Sequence, residues 1–279
     1  MDEQAVKRVH VHWQIPIPHD VGYRERYSHM RDNAARAGRI RWEKYGRIGD
    51  ESRRRAAWMD WWNAVGKFKH SGAAIAGPIP IRKPRRSSEL AEFCGIMLGD
   101  GGISNRQVSI TLHGIDDRAY GVFVKKLMYK LFGIIPARYM KKDCRAFALV
   151  VSRTELVTFL TEDAGLVRGN KVRQAVDIPD WIKANPDYAM ACLRGLVDTD
   201  GCIFTHRYRV KGTQYSYKKL SFTNASDRLR LSAARILSAC NLYPRLTPNS
   251  VRLDRKDDVA RYLNVIGSHN PKHLKRARQ

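Results

Sequence analysis

Hydrophobic residues fall into helical and strand periods from Ser87 onward. Ser87 and Ser88 stand as N-cap residues before Leu90, Phe93, Cys94 and Met97, and this predicts a helix that ends at Gly99-Asp100-Gly101-Gly102. Gln107 to His113 alternates strictly, with Val108, Ile110 and Leu112 on one side and Gln107, Ser109, Thr111 and His113 on the other, the pattern of a half-buried strand. Asp116 then opens a helix with Tyr120, Val124, Leu127, Met128 and Leu131 along one stripe. Two short strands at 135–142 and 145–152 and a helix at 153–163 follow, closed by Gly165-Leu166.

The same order then returns. A helix at Asp187–Thr199 ends at Asp200-Gly201, strands are expected at 202–210 and 215–223, and Asp227 starts a helix bearing Leu229, Ala233, Ile236, Leu237 and Cys240. Strands at 243–247 and 250–254 and a helix at 256–266 complete the second set. The order helix–strand–strand–helix–strand–strand–helix occurring twice is read as an internal duplication, with the polar, basic segment Arg168–Ile178 joining the copies.

The region before residue 86 has poor apolar periodicity. It predicts polar helices at Tyr23–Tyr45 and Asp50–Phe68, punctuated by Gly38, Gly46 and Gly49, and then a proline-containing linker at Ser71–Pro84 with a basic end. Five of the six Trp (Trp13, Trp42, Trp58, Trp61 and Trp62) lie here. The expected organisation is a basic, mostly helical or partly disordered extension at 1–85, a first repeat at 86–167, and a linker with the second repeat at 168–279.

Composition narrows the class of function. The 279 residues contain 51 Lys and Arg against 27 Asp and Glu, a formal charge of +24, and such a field most often serves nucleic acid. No apolar run is long enough for a membrane span, and the start Met-Asp-Glu lacks a signal-peptide pattern, so the expectation is an intracellular protein of the cytoplasm or nucleoid. Cys94, Cys144, Cys192, Cys202 and Cys240 form no short paired spacing, which argues against a zinc ribbon or a disulfide framework. His10/His12 and His269/His273 are spaced like metal pairs but have no Cys or acidic ligand nearby in sequence, and are read as surface histidines.

Candidate chemistry lies where the copies match. The first copy reads Phe93-Cys-Gly95-Ile-Met-Leu-Gly99-Asp100-Gly101, and the second Leu193-Arg-Gly195-Leu-Val-Asp198-Thr199-Asp200-Gly201, at a constant offset of 100 residues. Small residues four apart (Gly95/Gly99 and Gly195/Thr199) clear one stripe of each helix, so two such helices pack closely and bring Asp100 and Asp200 together at their C-terminal ends. An acid there meets the negative end of the helix dipole and a like charge, two penalties that a divalent cation reverses. Asp198, two residues earlier, points to another helix face and is read as structural. A single Gly-Asp-Gly is common in ordinary turns, and the weight comes from the two copies.

These residues resemble the LAGLIDADG homing endonuclease family over about residues 87–274. The likeness includes Ile178-Pro-Asp-Trp-Ile182 and Ile266-Gly-Ser-His-Asn-Pro-Lys-His273. The resemblance implies an α+β fold of two pseudo-symmetric αββαββα repeats, whose four-stranded antiparallel sheets form a saddle over the DNA major groove. It implies a monomeric, site-specific double-strand endonuclease with a long asymmetric target and 3′ overhangs. Mg²⁺ or Mn²⁺, two or more per site, would be held by Asp100 and Asp200, with help from the carbonyls of Gly99 and Thr199. Gly95, Gly101, Gly195 and Gly201 would serve the packing of the motif helices.

Strand parity, applied under this resemblance, names a DNA-facing set: Gln107, Ser109, Thr111, His113, Arg138 and Arg145 in the first copy, and Thr205, Arg207, Arg209, Tyr217, Lys219, Ser221, Arg245 and Arg252 in the second. Lys142, Lys219 and Arg252 are the candidates for the basic groups that the family places around its metals. Lys272, Lys275, Arg276 and Arg278 read as a phosphate-contacting or disordered tail. The chain begins with Met1 and its His269-Asn270 precedes Pro271, so a free-standing protein is expected rather than an intein. The family also contains RNA maturases for intron RNA and non-cleaving DNA-binding proteins, and the basic, Trp-rich extension suits either as a second nucleic-acid contact. A basic structural protein on nucleic acid is the third reading.

Overall fold

A computed structural model describes residues 3–14, 16, 22, 28–45, 51–66, 79–142 and 144–279. The chain divides into two units, Met1–Gly77 and Pro78–Gln279. The first unit carries helices α1 (Glu3–Trp13), α2 (Ser28–Tyr45) and α3 (Glu51–Ala64). α1 was not expected, and Gly38 lies inside α2 rather than breaking it. Within α3, Trp58 stacks on Trp62 at 5.7 Å between ring centroids. The linker expected at Ser71–Pro84 lies outside the described residues up to residue 78. From residue 79 the chain belongs to the second unit: Arg82 N donates to Phe132 O at 3.1 Å, and Arg82 Nη1 to Lys130 O at 2.9 Å.

The second unit is an α+β duplication. In the first copy, α4 (Ser88–Leu98), β1 (Gly101–Ile103), β2 (Val108–His113), α5 (Arg118–Phe132), β3 (Ala137–Met140), β4 (Ala146–Val151) and α6 (Thr154–Thr158) follow in order. α6 runs on into a π-helical turn at Phe159–Asp163. After α7 (Asp180–Lys183), which was not expected, the second copy supplies α8 (Pro186–Asp200), β5 (Gly201–Val210), β6 (Thr213–Thr223), α9 (Asp227–Ala239), β7 (Pro244–Leu246), β8 (Ser250–Leu253) and α10 (Asp258–Val265). α11 (Pro271–Arg278) ends the chain. No described helix is long and apolar enough to cross a membrane.

Both sheets are antiparallel with matching orders, β1-β2-β4-β3 and β5-β6-β8-β7. The central helices begin alike, with Ser87 Oγ accepting from Leu90 N and Asn185 Oδ1 from Tyr188 N. α4 is buried on every side from Leu90 to Leu98, as a helix at the centre of a core must be. One continuous core runs from α4 through Ile110, Leu149 and Tyr120 in the first copy to Leu196, Leu220, Leu237 and Val251 in the second.

α4 and α8 cross with their backbones in contact. A Cβ added at Gly95 would lie 2.1 Å from Cys192 O, and one at Gly195 would lie 2.3 Å from Glu92 O. The reciprocity of these clashes marks the pseudo-two-fold axis between the copies. Gly101 and Gly201 do a different job from the packing expected of them. Their added Cβ atoms would strike Met97 Cα and Val197 O of their own helices, so they let the chain turn out of each helix into β1 and β5.

Candidate functional site

The crossing brings together the two acids at the ends of α4 and α8. Asp100 follows α4, and Asp200 is the last residue of α8. The Asp200 carboxyl carbon lies 3.5 Å from where a Gly99 Cβ would be, and the same Cβ would meet Thr199 Oγ1 at 2.0 Å. Only a glycine at 99 leaves room for this junction. Burial raises the Asp100 pKa to about 7, with further contributions from the charges of Asp200 and Asp117, against the opposing pull of Lys171 and Lys272. Burial also raises Asp200, opposed by a hydrogen bond from Asn224 and by Lys171. Asn224 Nδ2 donates to Asp200 Oδ2 at 2.8 Å.

Two cations at this site were not singled out as site residues by the sequence. Lys171 comes from the joining segment. Its ammonium donates to the carbonyls of Met97 (3.1 Å), Leu98 (2.9 Å) and Gly99 (2.5 Å), which are left without partners where α4 ends. Burial lowers the Lys171 pKa while Asp200 and Asp100 hold it up. Lys272 pairs with Asp117 at 2.8 Å. The only sequence signal for either was a general excess of basic residues in the linker and tail. The sequence named Lys142, Lys219 and Arg252 for this role. Lys142 is exposed in the β3–β4 loop, Lys219 pairs with Asp254 at 3.0 Å, and Arg252 Nε donates to Ser250 Oγ at 3.3 Å.

Whether this pocket suits a divalent cation follows from its donors. It offers two carboxylates and backbone carbonyls, all hard oxygens, and both carboxyls are driven toward the neutral form by burial, Asp100 also by the charge of Asp200. A bound cation would offset those costs, so the residues fit such an ion.

The C-terminal segment corrects two expectations. Residues 271–278 form helix α11 rather than a disordered tail, and His273 is fully buried instead of lying on the surface. His269 is not a lone surface histidine either: its Nδ1 lies 2.5 Å from Glu92 Oε1, and its ring packs on Phe123. Glu92, Asp198 and His269 present possible ligand atoms within 4.8 Å of one another, although no acidic partner was expected beside His269. Every carboxylate oxygen of this group is nonetheless engaged. Glu92 Oε2 accepts from Arg194 at 2.9 Å, Asp198 Oδ1 from Ser268 Oγ at 2.5 Å, and Asp198 Oδ2 from His269 N at 2.8 Å. Asn270 Nδ2 adds bonds to Asp117 Oδ1 and Asp198 O, both at 2.9 Å. The group is a clasp that ties the C-terminal segment to α4, α8 and the start of α5.

Register decides which strand residues share a face. Ser109, Thr111 and His113 pair with Val150, Ala148 and Ala146, on the face turned away from buried Ile110 and Leu149. Gln107, just before β2, is exposed and donates to Ser152 Oγ at 3.1 Å, while Arg145 sits in the loop before β4. Arg138 needs correction. It pairs with Leu149, on the core side, and its guanidinium lies 4.4 Å from the centre of the Phe147 ring. β3 is exposed along its whole length, so no burial alternation in the sequence sets its phase.

In the second sheet, Ser221 pairs with Arg252, Arg252 with Arg245, and Lys219 with Phe204, all on the face away from buried Ile203, Leu220 and Val251. Tyr217 shares that face. Thr205, Arg207 and Arg209 do not: they share parity with Ile203 and point to the opposite side. The residues of β5 on the Lys219 face are Cys202, Phe204, His206, Tyr208 and Val210. β5 has apolar residues at both parities, so its alternation reads equally well in either phase, and only the burial of Ile203 selects one.

No protein-family model matches the chain, and no curated protein matches it in sequence. Among solved structures, its neighbours include LAGLIDADG homing endonucleases. One is I-DmoI in complex with DNA and Mn, at 16% identity over 65% of this chain and 97% of that one, with a TM-score of 0.44. Another is the I-SmaMI LAGLIDADG homing endonuclease bound to cleaved DNA, at 11% identity over 70% and 88%, with a TM-score of 0.46. Full-length DUF199/WhiA from Thermatoga maritima is also similar, at 14% identity over 70% and 61%, with a TM-score of 0.42.

Proposed function

We propose that the chain is a monomeric, site-specific double-strand DNA endonuclease that acts in intron homing and leaves 3′ overhangs at a long asymmetric target. The observation that carries this reading is the meeting of Asp100 and Asp200 at the crossing of two motif helices from duplicated halves. Their carboxylates, with the carbonyls of Gly99 and Thr199, would hold Mg²⁺ or Mn²⁺, two or more per site. Such ions polarise a scissile phosphate toward attack by water.

The chain's own side chains do the rest. Asn224 fixes the orientation of Asp200, and Lys171 offsets part of the paired negative charge. Gln107, Ser109, Thr111 and His113 on one sheet, and Ser221, Arg245 and Arg252 on the other, face base edges and phosphates. Lys142 and Arg145 add phosphate contacts from their loop. Two unlike copies in one chain read a target without two-fold symmetry, which a symmetric homodimer does not do. The +24 charge supplies affinity and its dependence on salt. The protein then works inside the cell, on chromosomal DNA.

The test is cleavage of duplex DNA with Mg²⁺ by Asp100→Asn and Asp200→Asn variants. Each should lose double-strand cleavage and retain binding, and undiminished cleavage by either overturns the proposal. A second reading, a non-cleaving DNA-binding protein or an RNA maturase, is favoured by one contact: the Lys171 ammonium already sits on the Gly99 carbonyl that a cation would use. Under that reading, wild-type protein binds DNA or intron RNA without cutting under any divalent cation, and Lys171→Gln changes nothing in cleavage.

A further inference from the structure

The two sheets differ most at the far end of the second. β5 and β6 are 10 and 11 residues long, while β1 and β2 are 3 and 6. β8 covers only residues 220–223 of β6, so beyond Lys219 the hairpin continues as a two-stranded ribbon with no third strand among the described residues. A bare ribbon is marginal in water, and this one is held by cross-strand aromatic pairs.

Those rings form an ordered platform. His206 stacks on Tyr208 at 5.5 Å and 26°, and Tyr208 stacks on Tyr215 at 5.3 Å and 18°, so the three rings follow one another in a row. Tyr217 meets His206 and Tyr208 edge-on, at 76° and 88°, and so braces two of the three. Tyr208 and Tyr215 are 41% and 45% exposed, although nothing in the core requires aromatic residues there.

The polar groups on this face matter as much as the rings. Readout of a duplex major groove relies on Arg, Lys, Asn and Gln side chains aimed at base edges. From Phe204 to Val210 and from Thr213 to Lys219, the platform face carries one cation, Lys219, and it is held by Asp254 at 3.0 Å. Arg207, Arg209 and Lys218 lie on the reverse face. A surface with rings in front and cations behind is poorly equipped to read edges and well equipped to stack on the faces of unpaired bases.

We propose that the His206–Tyr208–Tyr215 platform on the β5–β6 ribbon is a binding site for the unpaired bases of a single-stranded nucleic-acid segment. This rests on the nucleic-acid reading above but not on cleavage. Both sheets would engage duplex through the residues named above, and the far end of the second copy's ribbon would hold bases outside it.

The experiment is fluorescence anisotropy of full-length protein with labelled dT12, rU12 and a random 30-base-pair duplex at one salt concentration. Wild-type protein should bind at least one of the two single strands. Tyr208→Ala/Tyr215→Ala should weaken that binding about tenfold or more and change duplex binding less than threefold. Tyr208→Phe/Tyr215→Phe, which keeps the rings, should bind like wild type, whereas Tyr208→Leu/Tyr215→Leu, which keeps only apolar bulk, should not. The ratio of dT12 to rU12 affinity separates a DNA segment from an RNA one. If wild type binds duplex but neither single strand, or if the Ala variant loses both ligands in parallel, the platform proposal is overturned while the nucleic-acid reading stands. Binding of none of the three ligands overturns both.

Discussion

Asn224 donates to Asp200 over 2.8 Å, and Asp100, the equivalent acid of the first copy, receives no side-chain hydrogen bond among the described residues. The two acids are alike in sequence position and unequal in support. A hydrogen bond to a charged group contributes about 1.5–3 kcal/mol. If, as we propose, each acid serves one strand of the duplex, Asn224→Ala should therefore slow cutting of the strand served by Asp200 by roughly ten- to a hundredfold. A supercoiled-plasmid assay should show nicked circles accumulating before linear product. Equal slowing of both strands would contradict the assignment of one acid to each.

The metal-free protein should lose stability as pH rises. A carboxyl raised to about 7 when folded binds a proton that the unfolded chain, near 3.8, has already released. Its stabilisation is therefore full below pH 4 and disappears between there and pH 7. Asp198, also raised to about 7 by burial, acts in the same direction. Thermal melts in EDTA should show Tm falling by several degrees between pH 5 and pH 8. Asp100→Asn should flatten much of this slope and raise Tm at pH 8, and Mg²⁺ should raise the wild-type Tm there.

His273 imposes the opposite trend at lower pH. Burial, then the charges of Lys272 and Arg276, lower its pKa to about 4, so it stays neutral where an unfolded histidine binds a proton below about 6.5. Its contribution is lost as pH falls from about 6.5 to 4. His273→Gln should remove the pH dependence that this residue adds to urea melts in that window.

Gly95→Ala and Gly195→Ala each force a methyl group against backbone, at 2.1 and 2.3 Å. Neither neighbour is a flexible side chain that can swing aside, so the helices must separate. Loss of about 3 kcal/mol or more is expected, at the upper end of overpacking costs. Urea unfolding followed by circular dichroism should show it, whereas Gly212→Ala, at an exposed turn with open space around it, should cost only its positive-φ strain of about 1 kcal/mol.

Arg194→Leu should leave the buried Glu92 carboxylate with the His269 ring as its remaining side-chain contact. Burial pushes the Glu92 pKa up, and the bonds from His269 and Arg194 more than reverse that, leaving it lowered. Removing one partner of such a buried pair costs about 3–5 kcal/mol. Glu92→Leu combined with Arg194→Leu should recover most of it in the same urea assay.

Local pattern determined a great deal of this protein. The period of Tyr120, Val124 and Leu131, the alternation through Val108, Ile110 and Leu112, and the repeat of Gly95-Asp100 at Gly195-Asp200 all record neighbours within one turn or one strand. From these follow the duplicated element order and the two acids. Tertiary structure alone decided what depends on distant partners. It put Lys171 and Lys272 beside the acids, closed the clasp of Glu92, Asp198 and His269, and made the basic tail a docked helix. It also set the phases of β3 and β5, placing Arg138, Thr205, Arg207 and Arg209 on the other face from the one expected. A strand exposed throughout, or apolar at both parities, has no inward side until another strand pairs with it. A charged side chain likewise has no site until folding brings its partner from seventy residues away or more, as it brings Gly99 to Lys171.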